Sequence, residues 1–233
     1  MGAGHALPPR PLVERVNGNP EPASFEFIGR RVAIEVFMAV SGAFSRKGRL
    51  RILDFGCGCG RITRHLPVIF PNADVLGVDI DAEAVDWCRG HLHGVRFDVG
   101  PGHPPSPFPS GSFDLVLAVS VFSHLPEALQ AAWLPELARI TADDGRFVAS
   151  YVSDHFAPVL LTGDESRTLA DRGFVYHTRN GTQGLPAFYQ ASFQTRDYVA
   201  REWGRHFRIL ADHPRGLNQH QELVVARPAR GAG

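Results

Sequence analysis

The apolar run Leu50–Phe55 (LRILDF) ends directly in Gly56-Cys57-Gly58-Cys59-Gly60, three glycines at alternate positions, and a short helical stretch follows. Glycine turns tightly, adopts left-handed backbone and lets a ligand approach the main chain closely. Such a segment, placed between a strand and a helix, predicts a loop at the carboxyl end of a strand. In open parallel sheets that is where ligands bind. A nucleotide-like guest is therefore the first expectation.

The rest of the chain has the rhythm such a sheet needs. The proline-rich residues 1–24 read as an extended arm, and 25–44 as a helix. After Leu50–Phe55 come a short helix near 61–66 stopped by Pro67 and Pro71, a strand over 74–80, and a helix over 82–92 with Asp81 as its N-cap. A strand at 94–99, a proline loop at 100–112 and a nearly all-apolar strand at 113–119 follow, the last patterned for burial on both faces. Pro126 suits the first position of a helix reaching about Ile140. Asp143-Asp144-Gly145 reads as a turn before a strand at 146–152. Alternating strands and helices predict an α/β fold, a Rossmann-like doubly wound and mostly parallel sheet. Residues 153–194 break the rhythm. Aromatic runs flank the turn Arg179-Asn180-Gly181 there, so we expect a hairpin-bearing cap insertion. Thr195 caps a helix over 196–204, strands follow at 207–211 and 222–226, and the tail from Arg227 is expected to fray. The expected division is an N-terminal arm and helix, 1–47, and a main domain, 48–233, that includes the 153–194 cap.

Composition narrows the partners. The 233 residues carry 24 basic and 24 acidic side chains, only Lys47 among the basic ones being lysine, with no block of like charge. Nucleic-acid binders usually show a basic stripe, so no nucleic-acid partner is expected. No apolar stretch is long enough to span a bilayer, and Met1–Pro11 lacks the apolar core of a signal peptide. With three cysteines, two in a C-x-C, there is no disulfide framework. The expectation is a reduced, cytoplasmic compartment, no membrane partner and no metal. Cys57 and Cys59 read as small fillers.

Two guests compete for the glycine loop. A dinucleotide site needs G-x-G-x-x-G, but Arg61 stands at the third glycine position. Here an acid, Asp54, precedes the glycines, which serves a pyrophosphate poorly and a ligand bearing an ammonium group well.

RILDFGCGCGRITRHL closely resembles the first motif of class I S-adenosylmethionine-dependent methyltransferases. VLGVDIDAEAV resembles their second-strand motif, PFPSGSFDLVLAVSVFSHLPE their fourth and ELARITADDGRFVASYV their fifth, in matching order over residues 48–152. PPRPLVERVNG and NQHQELVVARP are similar, more faintly, to a bacterial subgroup acting on small molecules or saccharides. The resemblance implies a seven-stranded sheet whose last strand is antiparallel, with S-adenosylmethionine as cofactor. It also implies methyl transfer to an O or N atom of a small-molecule acceptor, possible acceptors being a sugar or a secondary metabolite. By position, Asp54 orients the loop and the methionine amino group, while Gly56, Gly58, Gly60 and Arg61 form the cofactor loop. Asp79 takes the ribose hydroxyls, Ile80 packs beside adenine and Ser120 lines the methionine moiety. The acid such enzymes carry after the third strand is missing from Val99–His103. Asp98 falls within the strand, and backbone or His103 is left for adenine.

His124 follows the fourth strand and is the candidate general base, although methyl transfer can also proceed by positioning alone. Tyr151, His177, Tyr189 and His220 are weaker catalytic candidates, and Tyr176 is weighed with them; each also reads as packing or surface. Arg30 and Arg31 either reach the cofactor carboxylate or face solvent. The alternatives are a non-catalytic regulator or partner subunit that binds the same cofactor, and a nicotinamide oxidoreductase, which Arg61 opposes.

Overall fold

The computed structural model describes residues 6–44, 48–179 and 184–229. The chain divides into two compact units, Met1–Gly102 and His103–Gly233.

The first unit begins with helices α1 (Arg10–Asn17) and α2 (Pro22–Val40). It continues with β1 (Leu50–Phe55), α3 (Leu66–Ile69), β2 (Ala73–Asp79), α4 (Ala82–His91) and β3 (Arg96–Val99). β1 and β3 both pair with β2 in parallel register. The arm expected to be extended is helical in its middle. Its prolines stand where prolines start a helix: Pro9 is the N-cap of α1 and Pro11 lies in the first turn, while Gly18 closes the helix in the left-handed region. Leu12 and Val13 are buried with Phe25, Cys59 and Ala84. Pro67 likewise sits in the first turn of α3 rather than ending a helix, and a short 3-10 turn over Thr63–His65 precedes it.

Cys57, Val85, Cys88, Leu92 and Phe97 form a second cluster beneath the loop. All three thiols are buried, as fillers would be. Arg64 is buried between the Phe25 and Trp87 rings, 5.0 and 5.7 Å from their centroids. Its Nε and Nη1 donate to the carbonyls of Gly60 and Ala6.

The second unit holds β4 (Phe113–Ala118), α5 (Glu127–Ile140), β5 (Thr141–Tyr151), α6 (Ala157–Leu160), α7 (Gly163–Arg172), β6 (Phe174–His177), β7 (Ala191–Gln194), α8 (Arg196–Glu202), β8 (Phe207–Leu217) and β9 (Gln221–Pro228). β4 is buried at every position and pairs with β5 in parallel, while β9 runs antiparallel to both β5 and β8. The sheet has seven strands in the order β3-β2-β1-β4-β5-β9-β8, the doubly wound, mostly parallel arrangement expected. Trp203, Phe122, Phe147, Tyr151 and Phe207 pack ring against ring beneath this half of it.

Several local expectations shift. Pro126 is the N-cap of α5, one place before the expected position. Asp143–Gly145 does not precede the fifth strand; it lies inside β5 at a register shift opposite Phe113–Leu115. A side chain at Gly145 would meet the Asp114 carbonyl at 2.8 Å, so the strand bends there on glycine. The cap holds the expected antiparallel pair, β6 with β7, while Asn180-Gly181 of its turn lies outside the described residues. It also holds α7, whose N-terminus is a capping box between Thr162 and Glu165. Arg227 and Pro228 belong to β9 instead of fraying. No helix among the described residues is long and apolar enough to cross a membrane.

Candidate active site

In the first unit the glycine loop is clamped to β2 by its main chain. The N–H groups of Gly56 and Cys57 both donate to the Val78 carbonyl, at 2.7 and 3.1 Å. Gly58 N–H donates to Asp79 Oδ2 at 2.7 Å, and Asp81 N–H donates to Asp79 Oδ1 at 2.9 Å. Asp79, the last residue of β2, is thus oriented through both oxygens. An ionised carboxylate offers about four lone-pair sites, so both oxygens keep acceptor capacity. Burial pushes its pKa up, against the hydrogen bonds from Asp81 and Gly58.

Asp54, near the end of β1, is 2 % exposed. Thr63 Oγ1 donates to its Oδ2 at 2.5 Å. Burial raises the Asp54 pKa to about 6, the Thr63 hydrogen bond opposes that, and the charge of Asp79 adds to it. Gly58 has φ +53°, and a side chain there would meet Val16 of α1 at 2.6 Å. Only glycine satisfies both constraints. α1 is pinned beside the loop, Arg15 bonding to Asp81 at 2.5 Å and to Glu83 at 3.1 Å.

Arg61 Nη1 donates to Asn17 of α1. Ile80 is half-buried beside Asp79. Asp98 lies in β3, as expected, and pairs with Arg89. Arg31 pairs with Glu35 one turn along α2, and Arg30 is exposed. The chemistry of the two acids fits the ribose hydroxyls and the ammonium group of S-adenosylmethionine: both are desolvated carboxylates with lone pairs to spare.

In the second unit the loop after β4 carries Ser120 and His124. Ser120 has φ +58°, a conformation rare for a residue with a side chain. His124 Nδ1 lies 2.6 Å from the Gln190 carbonyl. A carbonyl only accepts, so Nδ1 carries the proton and Nε2 keeps its lone pair. Burial lowers the imidazole pKa, the Gln190 hydrogen bond opposing it. The ring stacks on Tyr189 at 4.2 Å. The chain from Gln190 to Ser192 is sewn to this loop by backbone bonds, Gln190 N–H to the His124 carbonyl and Ser192 N–H to the Ser123 carbonyl. Gln130 and Ser192 side chains both donate to the Phe122 carbonyl.

The other candidates have structural partners. Tyr151 is 1 % exposed and donates to Asp212; burial and the Asp212 charge raise its pKa. His177 lies against Arg179 and Glu165. His220 packs on Phe156, Tyr176 donates to the Phe188 carbonyl, and His103 meets the Phe188 ring edge-on. Thr63, Gln190, Ser150 and Gln221 went unnoticed in the sequence. The first lies nine residues beyond the acid it serves. The second acts through its backbone, which no side-chain pattern reveals.

Residues 52–145 match the methyltransferase domain family. That match takes in less than half of the chain. The chain is 31 % identical over 140 residues to O-methyltransferase cnsE of Penicillium expansum, covering 57 % of this chain and 48 % of that protein. It is 36 % identical over 95 residues to trans-aconitate 2-methyltransferase of Methylobacterium nodulans, covering 41 % and 35 %. The matched region thus spans less than half the length of these curated relatives. In fold, the chain is similar to an S-adenosylmethionine-dependent methyltransferase from Clostridium acetobutylicum, with TM-score 0.61, 13 % identity, and 86 % and 92 % of the two chains covered. The family match begins in β1 and ends in β5, so it takes in the glycine loop, Asp79 and His124 and stops short of the cap.

Proposed function

We propose that this chain transfers a methyl group from S-adenosylmethionine to an oxygen or nitrogen atom of a small-molecule acceptor, a sugar or secondary metabolite falling within that class. The observation that carries the reading is Asp79, held at the end of β2 by the Gly58 and Asp81 N–H groups. In this reading Asp79 accepts the ribose hydroxyls. Asp54 orients the loop and faces the cofactor's ammonium end. Gly56, Gly58 and Gly60 give the main chain its close approach, with Arg61 closing the loop against Asn17. Ile80 packs beside adenine, and Ser120 lines the methionine end. The bound cofactor supplies an electrophilic methyl carbon.

His124 is the group that would take a proton from a hydroxyl acceptor. Its Nδ1 proton is committed to Gln190, which leaves Nε2 to act, and burial keeps the ring neutral at pH 7. That favours oxygen as the methylated atom. Tyr151 is assigned to the core and His177 to the Glu165–Arg179 cluster. Tyr189 is assigned to the stack on His124 and His220 to packing on Phe156.

Thermal unfolding with S-adenosylhomocysteine, NAD and ATP tests the cofactor. A ligand bound only to the folded chain stabilises it by about 2.7 kcal/mol at a hundredfold excess over Kd. A rise in Tm with S-adenosylhomocysteine and with neither control is expected. A rise with NAD instead contradicts the reading.

A further inference from the structure

Ser120 is held in the left-handed region at the carboxyl end of β4, and three side-chain contacts surround it. Its N–H donates to Ser150 Oγ at 2.8 Å. Ser150 Oγ–H donates to Gln221 Oε1 at 2.5 Å. Gln221 Nε2 donates back to Ser120 Oγ at 3.0 Å, closing a ring; the two side chains also approach at 3.3 Å between Ser120 Oγ and Gln221 Oε1.

The three members come from different strands. Ser120 follows β4, Ser150 is the penultimate residue of β5, and Gln221 opens β9. Because β9 is antiparallel to β5, its first residue lies level with the last residues of β5. The ring therefore sits at the carboxyl edge of the sheet, where ligands bind in open parallel sheets. Ser150 is fully buried, while Ser120 and Gln221 are partly exposed.

A left-handed serine is strained, and strain of this kind persists only where the surroundings over-determine it. The ring supplies that constraint at two points, the Ser120 amide and the Ser120 hydroxyl. Fixing the amide fixes the peptide plane that leaves β4.

We propose that Ser150 and Gln221 are positioning residues that hold Ser120 in its left-handed conformation and so shape the methionine end of the cofactor site. The proposal rests on the reading of Ser120 given above. It assigns a role in cofactor binding to Gln221, which lies far beyond the family match that ends at residue 145.

The test is calorimetric titration with S-adenosylhomocysteine, with ligand-free Tm measured in parallel, on wild type, Gln221→Met, Ser150→Ala, Ser120→Gly and the double variant Gln221→Met/Ser120→Gly. Gln221→Met and Ser150→Ala are each expected to raise Kd at least fivefold at a temperature where the variants are folded. Glycine takes the φ of +58° seen at this position without help, so in the Ser120→Gly background Gln221→Met should change Kd less than twofold. A change under fivefold in both single variants overturns the proposal and leaves the ring a packing feature. So does an effect of Gln221→Met that persists above twofold in the Ser120→Gly background. Failure of wild type to bind overturns the cofactor reading itself, so the two failures are told apart.

Discussion

The two compact units hold their functional groups by different means. In the first, a short stretch of chain arranges itself from its own pattern: glycines free the main chain, and the N–H groups of Gly58 and Asp81 aim the carboxylate of Asp79 at the end of the next strand. In the second, His124 and Ser120 are aimed by residues far along the chain. Gln190 is 66 positions from His124, and Gln221 is 101 from Ser120. The first arrangement ties function to a motif. The second ties it to tertiary structure, through a backbone carbonyl that any residue at position 190 would supply and through the side-chain amide of Gln221.

Four substitutions sharpen or break that contrast. The largest effect is expected at His124. His124→Ala should lower kcat on a hydroxyl acceptor by about 10²–10⁴-fold, the range of general base catalysis, and leave S-adenosylhomocysteine affinity unchanged. Because burial lowers the imidazole pKa, the wild-type rate should fall only below the ordinary histidine pKa of about 6.5. A pH–rate profile of kcat/KM checks this, and a profile unchanged by His124→Ala would remove the base.

Asp54 comes next. Its folded pKa, about 6, lies above the ordinary carboxylate value of 3.8, so the folded state holds its proton more tightly than the unfolded one. The stabilising contribution is full below about pH 4 and is lost as pH rises through about 6. Asp54→Asn should therefore stabilise the ligand-free protein at pH 7 by up to ~3 kcal/mol, with the gain fading towards pH 4, while cofactor binding is lost. Urea unfolding at a series of pH values reads the first effect and calorimetry the second.

Gly58→Ala places a Cβ against Val16 at a positive φ and should destabilise by roughly 1–3 kcal/mol with weakened cofactor binding. Smallest is Arg15→Ala. The Arg15–Asp81 pair is largely shielded, with side chains 14 % and 10 % exposed. The loss, read by urea unfolding, should be about 1 kcal/mol and shrink with added salt.

The same contrast decides what the sequence revealed. The order of strands and helices from β1 to β5 was legible because buried parallel strands are continuous apolar runs and glycine punctuates them. Asp81 and Thr195 were legible as caps because a helix start needs a side-chain acceptor, and each accepts from the third residue onward. α1 was not, because its prolines read as breakers, although at a helix start they are compatible with the first turn. α7 was hidden by its polarity: of its residues only Leu169 is buried, so the Thr162–Glu165 capping box stands without the apolar period that marks a helix. The Asp54–Thr63 contact and the Ser120–Ser150–Gln221 ring were illegible, since nothing local marks a serine or glutamine as a partner for a distant backbone.

The central claim is that the glycine loop and Asp79 hold S-adenosylmethionine. It is tested most directly by titrating S-adenosylhomocysteine into wild type and Asp79→Ala in a calorimeter, both proteins first checked for folding by circular dichroism. The account predicts saturable binding by wild type and a loss of at least about a hundredfold in affinity for the variant, from two hydroxyl hydrogen bonds to a charged acceptor. Equal affinity in the two proteins, or no binding by a folded wild type, would contradict it.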